Sequence, residues 1–66
     1  MTPQERASEA KRILESDVFK RALDELEMRY LDEWGSTFPE DTSARERLFV
    51  AVNVLGEVQR HLRIII

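Results

Sequence analysis

Residues 48–62, LFVAVNVLGEVQRHL, constrain this chain more than any other stretch. Read as a helix, Leu48, Ala51, Leu55, Val58 and Leu62 recur at three- and four-residue steps and share one face. Phe49, Val52 and Gly56 form a second stripe beside it. Val50 and Val54 flank the first stripe on its other side, and only Asn53, Glu57 and Arg60 mark a polar strip. A helix apolar over most of its circumference is buried on several sides. Gly56 would let another helix backbone come close, at a propensity cost of about 1 kcal/mol relative to Ala. The Val-rich run could also form a strand, but its length and the helix-start signal ahead of it select the helix.

The chain offers little to cover such a surface. Its 66 residues allow one domain, and a core of that size rarely supplies more than about 3–5 kcal/mol. There is no cysteine, hence no disulfide or thiolate metal site to staple it. The net charge of −3 argues against a nucleic-acid partner. That charge is uneven: residues 1–34 carry nine acids and six bases, residues 35–66 four of each. No basic-plus-apolar leader and no bilayer-length apolar run is present, so neither signal-peptide export nor membrane insertion is expected.

Taken in order, the chain predicts an all-α fold: a short N-terminal helix, then an antiparallel hairpin of two longer helices. Residues 1–16 hold the first helix, with Thr2 as cap, Pro3 in the first turn and Glu5 completing a capping box. Its apolar stripe is narrow (Ala7, Ala10, Leu14, with Ile13 at the edge), which marks it as the least stable part. Ser16 and Asp17 interrupt and can cap a new helix. Residues 17–34 form the second helix, with a core face of Phe19, Ala22, Leu23, Leu26, Tyr30 and Trp34. Asp17, Arg21, Glu25, Arg29 and Glu33 alternate in sign at four-residue steps as a solvated stripe. Met28 and Leu31 lie off the core face.

Residues 35–42 form the loop. Gly35 suits a left-handed C-cap. Phe38, held extended by Pro39, is expected to fold over the bundle end near Trp34. Ser43 to Glu46 spells a second capping box, with Asp41 and Thr42 as alternative caps. Residues 43–63 form the third helix, with Arg60, His61 and Arg63 at the negative pole of its dipole. Residues 64–66 are an apolar tail that either continues the helix or adds a strand to a partner.

No chemistry-bearing constellation emerges. His61 is the only histidine and lacks companions for a metal site or general base. Asp32, Glu33, Glu40 and Asp41 are paired carboxylates without calcium-loop spacing. Arg45, Arg47, Arg60 and Arg63 tint the second half basic, but the loop is too long for a helix-turn-helix reader. No phosphate loop, nucleophile motif or cofactor fingerprint is present. The expectation is therefore a non-enzymatic chain with no catalytic, metal or cofactor residues.

The candidate partner-contact residues are Phe49, Val50, Val52, Val54, Gly56, Met28, Leu31, Ile64, Ile65 and Ile66. The expected partner is a second copy, a larger structural protein, or both. The alternatives are a small acidic regulator or inhibitor of a host protein, with residues 1–34 as its charged face, and a small DNA-binding protein.

The segments ILESDVFKRALDELE, YLDEW, ST-x-PEDT and ARERL, spread over residues 13–48, carry a resemblance. Over residues 13–62 the chain resembles small helical proteins that tailed bacteriophages encode among their head and packaging genes. The resemblance implies a virion-associated or assembly-related interaction protein, docked on a capsid, portal or similar structure, located in the virion or the bacterial host cytoplasm. It implies no catalytic residues.

Overall fold

The computed structural model describes residues 1–66 and contains three helices and no strand: α1 (Pro3–Glu15), α2 (Asp17–Gly35) and α3 (Thr42–Ile65). Each start is written locally. Thr2 Oγ1 accepts from the Glu5 amide at 3.1 Å, and Ser16 Oγ accepts from the Phe19 amide at 3.3 Å. Asp41 Oδ1 accepts from the Ala44 amide at 3.1 Å, so the third cap is Asp41 and not Ser43. Each cap satisfies one of the helix donors that the backbone leaves without a partner. The box at Thr2 is only half built, because the Glu5 carboxylate takes the Thr2 hydroxyl (3.2 Å).

α2 and α3 are antiparallel. Tyr30 and Trp34 lie beside Leu48 and Val52 at the loop end. Phe19 and Leu23 lie beside Gln59 and Arg63 at the other. α1 packs on both helices. α3, at 1.5 Å per residue, is about 36 Å long, whereas the molecule extends 49 × 20 × 13 Å. The chain is thus a thin plank, prolonged by α1 past the hairpin. Its radius of gyration is 15.2 Å, between roughly 11 Å for a compact domain of this length and roughly 25 Å for an unfolded chain.

The consequence is a seam instead of a core. Ala10 is the single buried residue, 3 % exposed. Phe19, Leu23, Leu26, Tyr30, Leu48, Ala51, Val52, Leu55 and Leu62 are half-buried along the contact line.

The N-terminal helix buries little, as its narrow stripe of small alanines implies: only the Ala10 side chain is fully buried. Several expectations are corrected. Ala22 is exposed, and Val58 yields its expected inward place to Gln59, which is half-buried. Both lie near the margins of their helix faces, where a small change in crossing geometry decides burial. Gly35 has no positive φ; α2 runs through it and ends at Ser36 with φ −91° and ψ −6°. The last carbonyls are instead met by Ser36 and Thr37: Ser36 Oγ donates to Asp32 O (3.2 Å) and Thr37 Oγ1 to Trp34 O (2.6 Å). Phe38 is 75 % exposed and covers nothing. Of the alternating charges on α2, only Arg29 and Glu33 pair, at 3.3 Å. The isoleucine tail continues α3 as far as Ile65.

Candidate interaction surface

Eight of the thirteen exposed large apolar side chains fall on three surfaces. The first lies between α2 and α3 near the loop, where Tyr30, Leu31, Trp34, Leu48, Phe49 and Val52 line a groove of about 270 Å³ with no charged side chain among them. Helical spacing explains it. Leu31 and Trp34 sit three residues apart on one flank of α2, and Phe49, Val52 and Gly56 run down the facing flank of α3. Tyr30, Leu48 and Val52 form the half-buried floor. The rims stand in water: Phe49 is 66 % exposed and Leu31 54 %.

One end of this groove is braced by side-chain contacts. The Arg45 guanidinium lies 4.1 Å from the centre of the Trp34 ring, and its Nε donates to Thr37 Oγ1 at 3.0 Å. Thr37 in turn donates to the Trp34 carbonyl. Loop, α2 and α3 are thereby tied at one point, and a cation stacked on the indole adds about 0.5–1 kcal/mol at an exposed site. Trp34 was expected at the core or bundle end; it stands 41 % exposed as a wall of the groove.

The second surface is on the opposite flank of α3, where Val50, Val54 and Val58 are exposed at four-residue steps. It is bordered by Arg47 and His61. The third is the far end, where Ile64 and Ile66 are exposed and Ile65 is half-buried. Met28 is exposed on the outer side of α2, away from all three. Gly56 is exposed too, and a Cβ built there would meet nothing within 4 Å. No helix of this chain uses the close approach that Gly56 permits.

Sequence reasoning placed Phe49, Val52 and Gly56 on one stripe, and the structure joins that stripe to Leu31. It missed Trp34 and Val58 as exposed apolar positions. A signal existed for Val58, which sits at the edge of its stripe; for Trp34 the spacing gave none.

At the far end of the hairpin Lys20, Asp24, Gln59 and Arg63 line a second cavity, of about 430 Å³, with Leu14, Phe19 and Leu23. No three or more His, Asp or Glu side chains are grouped to hold a metal ion. No buried side-chain nitrogen or oxygen lacks a hydrogen-bond partner. No helix is long and apolar enough to cross a membrane. Comparison with protein-family models, with curated proteins and with solved structures gives no match for this chain.

Proposed function

We propose that this chain is a non-enzymatic helical interaction module that works by covering its exposed hairpin flanks with another polypeptide, as a virion-associated or assembly protein of a bacteriophage. One observation carries the reading. The chain exposes 5457 Å², whereas a compact folded monomer of 7.8 kDa exposes roughly 4,400 Å². The surplus, about 1,100 Å², is of the size that one partner contributes to a stable protein interface, about 800 Å². Leu31, Trp34 and Phe49 on one flank and Val50, Val54 and Val58 on the other form contiguous exposed apolar patches, which mark interaction sites more often than scattered exposed side chains do. The virion setting rests on the resemblance of residues 13–62 to small phage head and packaging proteins.

The test is a photoreactive amino acid placed singly at Phe49, Val54 or Met28 and irradiated in the cells that make the protein. Adducts to a polypeptide from position 49 or 54, with none from Met28 on the outer side of α2, are the expected pattern. Illumination that yields no protein adduct from 49 or 54 rules the module out.

A further inference from the structure

We infer that the groove lined by Leu31, Trp34, Phe49 and Val52 is filled by α3 of a second copy of this chain, in a two-fold symmetric antiparallel pair. The inference rests on the module reading and names its partner.

A layer of helices must bury its apolar stripe against another layer. In this molecule α1 packs on the α2–α3 hairpin, and no helix of the chain closes over the groove, where Phe49 and Leu31 stay exposed. The surplus surface is enough for one side of a dimer interface. A two-fold interface must also be self-complementary, each patch fitting its own copy. The α3 flank of the groove meets that demand. It carries a large exposed ring at Phe49 and, seven residues on, bare backbone at Gly56 with open space above it. In an antiparallel pair centred between Val52 and Asn53, Phe49 of each copy lies over Gly56 of the other.

That register has a consequence for charge. It sets Arg60 of one copy level with Arg45 of the second and one residue from its Glu46, which lies on the same side of the contact as Arg60. Within one chain the ion pairs are Arg12–Glu9 and Arg29–Glu33, so Glu46 and Arg60 are both free to pair across. Leu31 and Trp34 then border the inserted helix, and the pair becomes a four-helix arrangement. The valine stripe carries the weaker claim to the same partner. It has no aromatic anchor of the kind that dominates interface energetics and no bare backbone opposite a large side chain.

The experiment is sedimentation equilibrium on the purified full chain, with Phe49→Glu, Gly56→Leu and Val54→Glu beside it and circular dichroism to check that each is helical. The expected result is a dimer at about 100 µM, with Phe49→Glu and Gly56→Leu each weakening it at least thirtyfold or so and Val54→Glu leaving it unchanged. Gly56→Leu is decisive because leucine favours helix over glycine, so it strengthens the lone subunit while blocking the contact. A single monomeric species at that concentration overturns the inference, as does a dimer broken by Val54→Glu and not by Phe49→Glu. A monomer whose position-49 photoadduct falls on a different protein overturns the second copy and leaves the module reading standing. No adduct from either flank removes both.

Discussion

The two ends of α3 solve one packing problem in opposite ways. Near its C-terminus α3 meets α1, and Ala10 there loses nearly all its surface. Near its N-terminus α3 meets α2, and Phe49 beside that contact keeps two-thirds of its own. The smallest apolar side chain is sheltered and one of the largest is not. Two helices in contact can enclose only what lies on the line between them, and a methyl group fits there. A phenyl ring on a flank needs a third helix to close over it. Depth of burial is therefore set by the number of neighbouring helices and not by the hydrophobicity of the residue.

Substitutions can break or sharpen this contrast. The largest effect is expected at the sheltered end: Ala10→Glu should cost about 2–3 kcal/mol through overpacking and a trapped charge. Urea unfolding would read that as loss of most of the stability of so small a chain. At the loop end, Asp41→Ala removes a helix cap and should cost about 1 kcal/mol, visible as a lower urea midpoint with an unchanged slope. Gly56→Ala runs the other way. Its new methyl meets nothing, so the dilute chain should gain roughly 1 kcal/mol and its melting temperature should rise. Arg45→Ala unstacks the indole and frees Thr37, for a loss of about 0.5–1 kcal/mol; pairing it with Trp34→Leu in a double-mutant cycle isolates the stacking part. The smallest effect should be that of Phe49→Ser at high dilution, within about 0.5 kcal/mol of the parent, as for surface positions generally. A loss there as large as that at Ala10 would mean that the ring is sheltered by its own chain, and the contrast would fail.

Much of this architecture can be read from residue order. Thr2 and Ser16 announce two helix starts, because a short side-chain oxygen ahead of a periodic run can satisfy the first free amides; the third start was legible only to within a few residues, since Asp41, Thr42 and Ser43 all carry such an oxygen and Asp41 takes the cap. The apolar steps from Leu48 to Leu62 announce the long third helix. Periodicity identifies a face but not its depth, so Ala10, Ala22 and Val58 were not separable in advance. Gly35 shows a different limit. Glycine permits a left-handed end without requiring it, and here Ser36 and Thr37 close the helix with their hydroxyls. The groove was half legible. Phe49, Val52 and Gly56 share a stripe by spacing alone, whereas their meeting with Leu31 depends on which side of α2 faces α3.

Trp34 is the only tryptophan in the chain, and it forms a wall of the groove. Its fluorescence is therefore an intrinsic gauge of whether that groove is wet or filled. Water reaching the half-exposed indole shifts its emission to the red, and an apolar occupant would shift it to the blue. No dye or label is needed, and Arg45→Ala, which removes the stacked cation, separates the colour of a filled groove from that of the guanidinium beside the ring.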